Sequence, residues 1–480
     1  MRAMLQWSVI NGKRVVEAMN QQRSELVWRW RDACAAVGVP EVDGPDVFGV
    51  SIDTRTLRPG DLFVALLGDP GPRFNTDSRS DRDGHAFIDD ARRRGAVGAM
   101  THRASGTRLP ELRVADTLDG LWALGRAARE RFRGPVFAVT GSSGKTTVRS
   151  FLAAALGCTP ASGSLNNFWG VPLSLGRTPQ TAPAAVLEIG TNHPGEIEPL
   201  SRLVMPTVAL VLNVRPAHLQ YFESLDALRR EKISIFAGLV DGGVAVLPDD
   251  LDRAGMRADL RVTTFGQSNA ADVSLREYRA ATRTATFRIA GRPHSARVPG
   301  GGMHRALSLA AVLACLVAAD LPLDAALALP DSIVPEGRGS RISVGGVEII
   351  DDSYNANPTS MAAALKGLAA EPARKTVAIL GEMRELGDDS PEFHRQLAVH
   401  CEQIARIVCV GKGMEPLWEA LAPKQRLAWA ESVETLALND IIAELEPGDV
   451  VLVKASNRVF WVNDFVQKFS DALARRFGSV

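Results

Sequence analysis

What this 480-residue sequence lacks narrows its function before anything it contains. It has no charge of one sign to spare. Its 55 basic and 55 acidic residues cancel, which removes the global electrostatic case for nucleic acid or a membrane surface as a partner. Cysteine is scarce and scattered: Cys34, Cys158, Cys315, Cys401 and Cys409 contain no Cys-x-x-Cys pair. That pattern excludes the common zinc spacings and a disulfide framework, and fits buried thiols in a reducing cytosol. No apolar run reaches the roughly 20 residues of a membrane span. The longest, 307–319, is alanine-rich, holds Ser308 and stops at Asp320, so it predicts a buried helix. Gln6, Asn11, Lys13, Arg14 and Glu17 break any secretory apolar segment at the start of the chain. The expectation is a cytoplasmic protein without membrane insertion. Internal repeats of short period are absent.

What remains is the balance of a soluble globular chain, 46% hydrophobic and 23% charged. The length calls for roughly two to four domains. Residues 1–24 read as an extension. A small α/β unit over 25–111 carries a strand at 61–66 and a helix at 86–95. Between them, 68–83 is an insertion rich in Gly, Pro, Asp, Ser and Arg. A central unit over 112–335 alternates strands (136–139, 184–187, 208–212, 244–247) with helices (148–156, 224–239), the pattern of a mostly parallel sheet covered on both faces. The alternating stretch 272–298 adds antiparallel strands at one edge. A third unit over 336–480, with strands at 347–350, 376–380, 407–410 and 450–453, repeats the doubly wound layout. The fold class is therefore α/β in three domains: a small N-terminal α/β domain, a central P-loop-type sheet and a C-terminal Rossmann-like domain.

One run carries chemistry outright: Thr140-Gly141-Ser142-Ser143-Gly144-Lys145-Thr146-Thr147, between an apolar strand and a helix. Glycines let backbone N–H groups approach phosphate, Lys145 neutralises charge, and the Thr146 hydroxyl suits Mg²⁺. Val139 stands where a full Walker A loop has its first glycine, so this is a shorter relative of that loop. The reading is nucleoside triphosphate binding. In doubly wound sheets ligands sit beyond the strands' C-terminal ends. Glu188, Asn213 and His218 occupy such positions on the same rim, and Glu188 with His218 are candidate Mg²⁺ ligands, although Mg²⁺ favours oxygen.

Further motifs join these. They are Ser51-Ile52-Asp53-Thr54-Arg55, Asn166-Asn167-Phe168-Trp169-Gly170, Glu188-Ile189-Gly190-Thr191-Asn192-His193-Pro194-Gly195-Glu196, Glu231-Lys232, Gly337-Arg338, Asp351-Asp352-Ser353-Tyr354-Asn355-Ala356-Asn357-Pro358, and Leu380-Gly381-Glu382-Met383. Over about 45–465 the sequence resembles the ATP-dependent Mur ligases of peptidoglycan synthesis, and within them the D-alanyl-D-alanine-adding branch. The resemblance implies the following roles. UDP-N-acetylmuramoyl-tripeptide and D-alanyl-D-alanine are joined with ATP and two Mg²⁺ by a monomer. Gly141, Ser142, Ser143, Gly144, Thr147 and Asn167 surround ATP, and Lys145 holds its β- and γ-phosphates. Thr146 takes one Mg²⁺; Glu188 and His218 take the other. Lys232 is carbamoylated by CO₂ and becomes a metal ligand; Lys145, Lys232 and His218 form the catalytic set. A bare ammonium about 4 Å from Mg²⁺ would cost roughly 8 kcal/mol at an effective dielectric near 20, which a carbamate removes. Asp352 meets the ribose and Arg338 the phosphates. Thr54 and Arg55 meet the uridine diphosphate, with Asn192 and His193 near the substrate.

The chain departs from the family in places. Gly302-Met303-His304-Arg305 replaces a run ending in an adenine-binding asparagine, which implies stacking of Arg305 on adenine. Ser308 replaces a second asparagine, Thr54 a serine, and Ser234 a glutamate after the reactive lysine. Sister amide ligases and folylpolyglutamate synthases share the phosphate loop, but the Asn192-His193 and Asp352–Pro358 motifs argue against both. A nucleotide-binding scaffold without catalysis is disfavoured by the intact lysine and metal-ligand candidates.

Overall fold

The computed structural model describes residues 25–71, 74, 80–158, 165–215 and 221–478. The 1–24 extension, part of the 68–83 insertion and His218 lie outside the described residues. Three sheets succeed one another along the chain. The first is fully parallel, β1 (Gly49–Ser51), β2 (Asp61–Val64), β3 (Gly98–Thr101) and β4 (Glu111–Arg113), in sequence order. β4 pairs with β3, so the expected start of the central unit at 112 falls inside a strand of the first sheet. Three residues with one buried side chain left no pattern to read. The strand expected over 61–66 stops at Val64, where the Leu66 N–H turns back to the Val64 carbonyl.

The second sheet is reached through α1 (Thr117–Arg131), whose Asp116 cap accepts from the Leu118 and Asp119 N–H groups. Its strands are β5 (Val136–Thr140), β6 (Ala185–Glu188), β7 (Val208–Val211), β8 (Val244–Pro248), β9 (Arg261–Gly266), β10 (Val273–Arg279), β11 (Thr284–Ile289) and β12 (Arg292–Arg297). The order is β12-β11-β10-β9-β8-β7-β5-β6, parallel from β6 to β10 with an antiparallel edge. Its helices are α2 (Lys145–Ala155), α3 (Gly170–Gly176), α4 (Ile197–Val204), α5 (Leu225–Ile233) and α6 (Met303–Ala318). Strand alternation divides the packing. Val136 and Ala138 face a core shared with the first sheet, whereas Phe137 and Val139 face α2 and α6.

Two helices differ from expectation for local reasons. α2 begins three residues early, at Lys145, because Gly144 takes a left-handed conformation (φ +80°) that ends the loop at once. The helix expected over 224–239 ends at Ile233 and tightens to a 3₁₀ turn. Ser234 Oγ donates to the Glu231 carbonyl at 2.7 Å, and Gly238 packs so close to the Ser201 backbone that no Cβ fits. β9 escaped notice because only its second half is buried.

The third sheet comprises β13 (Ser340–Val344), β14 (Val347–Asp352), β15 (Thr376–Gly381), β16 (Arg406–Val410), β17 (Arg426–Ala430) and β18 (Val450–Lys454), ordered β13-β14-β18-β15-β16-β17. Only β13 is antiparallel. After β14, α7 (Pro358–Ala369) starts from a reciprocal cap between Asn357 and Ser360, with Pro358 in the first turn. The architecture is the three-domain α/β arrangement expected from the sequence.

Candidate functional site

The site grows from the β5–α2 junction. Gly144 holds a left-handed conformation (φ +80°) that disfavours any side chain, and a Cβ there would press on Leu212 Cδ2 at 2.9 Å. Asn213, just past β7, staples the turn: its Oδ1 accepts from Ser143 N–H at 3.1 Å and its Nδ2 donates to Ser143 O at 3.0 Å. Ser142 Oγ donates to the Arg215 carbonyl and accepts from the Arg215 N–H. The loop is thus held from the β7 side, leaving the α2 N-terminus to face the cleft. Lys145 folds back to donate from Nζ to Gly141 O at 2.8 Å.

Glu188 ends β6, one strand over, and is deeply buried. Its Oε2 accepts from Thr146 Oγ1 at 2.8 Å and its Oε1 from Asn166 Nδ2 at 2.8 Å. Arg149, one helical turn beyond Lys145, lies 3.8 Å from the same carboxylate. Burial alone would raise this carboxyl's pKa. Lys145, Arg149 and Arg338, with the Asn166 bond, outweigh it and hold the group ionised below the ordinary range. A buried carboxylate touching a hydroxyl at a phosphate loop is a hard-oxygen donor pair that suits Mg²⁺. Among the described residues no group of three or more His, Cys, Asp or Glu could cage a metal.

Lys232, near the end of α5, is one of the largest fully buried side chains. Burial drives its amine well below the usual lysine range and nearby Lys145 pushes the same way, against the weaker pull of Glu231 and Glu196. Next to it, Glu231 accepts from the Gly195 and Ile197 N–H groups at 2.8 and 2.9 Å. The helix of Lys232 is thereby tied to the loop carrying Asn192 and His193.

The third domain completes the cleft, a space of about 810 Å³ lined by Ser142–Thr147, Glu188, Arg305, Arg338, Asp352 and Lys454 among others. Asp352, at the end of β14, accepts from Lys454 Nζ at 2.7 Å; that ammonium, buried at the end of adjacent β18, also donates to Asn355 O at 2.9 Å. The Arg338 guanidinium lies over the Tyr354 ring, 4.1 Å from its centroid. Arg305 lines this cleft, and its guanidinium donates to the carbonyls of Gly300, Gly301 and Arg338.

A second cleft of about 400 Å³ lies between the first two sheets and meets the first at Asn166 and Gly190–Asn192. Asn192, His193 and Glu196 line it with Ile52, Asp116 and Phe168. Asn167 lines this cleft and not the first, its Oδ1 spent on the Gly170 N–H; its neighbour Asn166 is the one that reaches Glu188. Thr54 and Arg55 line neither cleft. Thr54 is buried, and Arg55 forms an exposed pair with Asp53.

Arg149 and Lys454 were not singled out from the sequence, and Glu231 was named only as part of the Glu231-Lys232 motif, without a role. Lys454 carried the signal that found Glu188, a charged residue closing an apolar parallel strand. Arg149 is one turn from Lys145 on α2. Glu231 looked like one charge in an exposed helical run, and only the fold turns it inward.

Residues 139–316 match the Mur ligase middle domain and residues 337–457 the Mur ligase glutamate ligase domain. A curated Escherichia coli protein, UDP-N-acetylmuramoyl-tripeptide--D-alanyl-D-alanine ligase, is 34% identical over 433 residues, covering 87% of this chain and 93% of that one. The MurF crystal structure from Acinetobacter baumannii superposes with TM-score 0.76 at 29% identity, over 92% of this chain and 99% of that one. The MurF ligase of Thermotoga maritima in complex with ADP gives 0.73 at 27%, over 89% and 98%.

Proposed function

The chain belongs to the Mur ligase family, and we propose on that premise that it joins D-alanyl-D-alanine to UDP-N-acetylmuramoyl-tripeptide in cytoplasmic peptidoglycan precursor synthesis. It is an ATP-dependent ligase of the MurF type. The observation that carries the reading is the single cleft in which phosphate-loop residues Lys145 and Thr146, buried Glu188, and C-terminal Arg338 and Asp352 come together. In this reaction a tripeptide carboxylate oxygen attacks the γ-phosphorus, the bond to the β-bridging oxygen breaks, and ADP leaves an acyl phosphate. The amine of D-alanyl-D-alanine then attacks the acyl carbon, loses a proton, and phosphate departs as the amide forms. No protein nucleophile is needed; positioning and charge neutralisation lower the barrier.

Lys145 neutralises the transferring phosphoryl group, and the α2 N-terminus and loop N–H groups bind the phosphates. Thr146 and Glu188, with His218, would hold the two Mg²⁺ ions, whose charge offsets that of the phosphates. Lys232 suits carbamoylation because burial pushes its amine well below the usual lysine range, toward the neutral form that adds CO₂. Arg338 reaches the phosphates and Asp352 the ribose from the third domain, so closure of that domain assembles the site. The second cleft, with Asn192 and His193, takes the muramoyl-peptide, and Thr54 and Arg55 lie toward its uridine diphosphate. Domain limits near 113 and 336, a monomer and a cytoplasmic location complete the proposal; no helix among the described residues is long and apolar enough to cross a membrane. The test is ATP-dependent phosphate release with UDP-muramoyl-tripeptide, offering D-alanyl-D-alanine against single amino acids. Release driven equally by a single amino acid would overturn the substrate assignment.

A further inference from the structure

We infer that Arg305 is a positioning residue that fixes the hinge between the central and C-terminal domains and thereby aims Arg338 into the nucleotide cleft. The inference rests on the ATP-site reading above. Arg305 lies in the first turn of α6 and is almost fully buried. A charge so buried must spend its donors on protein. One Nη donates to Gly300 O and Gly301 O at 3.0 and 2.8 Å, both in the central domain. The other crosses to Arg338 O at 3.0 Å, on the turn that opens the third domain.

The receiving backbone is shaped for this side chain. A Cβ on Gly339 (φ +82°) would lie 1.6 Å from Arg305 Nη2, and one on Gly300 would lie 3.3 Å from the guanidinium carbon. The same turn is pinned from the C-terminal side, where Gly337 N–H donates to Asp351 Oδ2 at 3.0 Å and Tyr354 N–H to Gly337 O at 2.8 Å. Gly300 O also receives Arg341 Nε from β13 at 3.4 Å, so one central-domain carbonyl is shared by cations of both domains. Between these two sets of restraints the Arg338 side chain emerges over the Tyr354 ring, and its charge is felt at Lys145 and Glu188. A lysine could not span three carbonyls on two domains, because its donors radiate from one point and the fork is lost. Three of the guanidinium's five N–H donors are committed in this way to backbone carbonyls of two domains.

The experiment compares wild type, Arg305→Lys and Gly339→Ala, the last of which fills the guanidinium slot and leaves Arg305 itself intact. Steady-state phosphate release is measured with ATP and with GTP, and small-angle scattering is recorded with and without a non-hydrolysable ATP analogue. Both variants are expected to raise KM for the two nucleotides by the same factor, about tenfold, and to lower kcat. The ATP-to-GTP ratio should stay at its wild-type value, and the compaction seen when wild type binds the analogue should shrink. A double variant should be no worse than the poorer single one, since both break one contact. Loss of ATP preference in Arg305→Lys, with GTP kinetics unchanged, would overturn the inference in favour of an adenine contact. Lowered melting temperature with unchanged kinetics would overturn it in favour of a purely structural role. Failure of wild type to turn over ATP would instead sink the ATP-site reading.

Discussion

The buried pair of Lys454 and Asp352 makes an asymmetric prediction. At 2.7 Å the Coulomb attraction reaches about 6 kcal/mol at an effective dielectric near 20, an upper bound before desolvation is charged against it. What a substitution costs depends on which partner is left behind. The Lys454 side chain is 2% exposed and that of Asp352 22%. Asp352→Asn strands an ammonium with no access to water and should cost about 3–5 kcal/mol. Lys454→Met leaves a carboxylate that water reaches, and should cost only about 1–2 kcal/mol. The double variant removes both charges and should fall near Lys454→Met, so the coupling equals the cost of Asp352→Asn alone, about 3–5 kcal/mol. Because β18 is central, flanked by β14 and β15, the local opening free energy of its amides reports the loss directly. Hydrogen exchange of peptides covering 450–454 is the assay, with the KM for ATP measured beside it. Asp352→Asn should raise that KM more than Lys454→Met. Equal costs for the two single variants, or strict additivity in the double, would refute the reasoning.

Lys145→Ala should abolish ligation while leaving the melting temperature near wild type; substantial turnover would remove the phosphate-site assignment. Lys232→Ala should also be inactive, but acetate or formate should partly restore it by standing in for the carbamate, and should not restore Lys145→Ala, whose missing charge is positive. Ligation rate against added carboxylate decides between them. Gly144→Ala forces a side chain into a left-handed position against Leu212 and should cost about 1–2 kcal/mol together with most ATP turnover, read by urea unfolding and phosphate release. Burial works against ionisation of Asp83, but His85 and Arg103 hold its pKa at about 2. A lowered folded pKa gives stability that is present above the unfolded value near 4 and is lost as pH falls through about 2. Asp83→Asn should therefore cost about 1 kcal/mol at pH 7 after solvent screening, and the gap should close between about pH 4 and 2 in urea titrations.

The parts of the fold legible in the sequence were those with long, unbroken apolar strands. β5, β7, β8, β15 and β18 are buried on both faces, and their composition says so. Strands of three residues, such as β1 and β4, or half-buried ones, such as β9, β13 and β17, carry no such run and were missed. The phosphate loop was legible because its chemistry is local, set by glycine conformation and adjacent side chains. Glu188 was legible because it closes a strand. Arg305 was not: its partners, Gly300 and Arg338, lie on segments 38 residues apart that only the packing of the third domain against the second brings together. Asn166 and Asn167 were indistinguishable in sequence, since only a one-residue step in a loop separates the amide that reaches Glu188 from the one that accepts from the Gly170 N–H.

The core shared by the first two sheets has a consequence for biosynthesis. Trp28 donates its indole N–H to Gly176 O, Arg131 stacks on that indole at 3.5 Å, and Arg177 reaches Val50 O. The apolar residues Val50, Leu62, Val64 and Met100 share one core with α1 and α3, the latter contributing residues as late in the chain as Leu175. During translation the first sheet therefore emerges complete at Arg113 while the helix α3 that packs on it is still unmade. At about 5–20 residues per second that interval is on the order of ten seconds. Throughout it the apolar face of the nascent N-terminal domain lacks part of its cover, so slow codons between Arg113 and Gly176 should lower the yield of folded enzyme without changing a single residue.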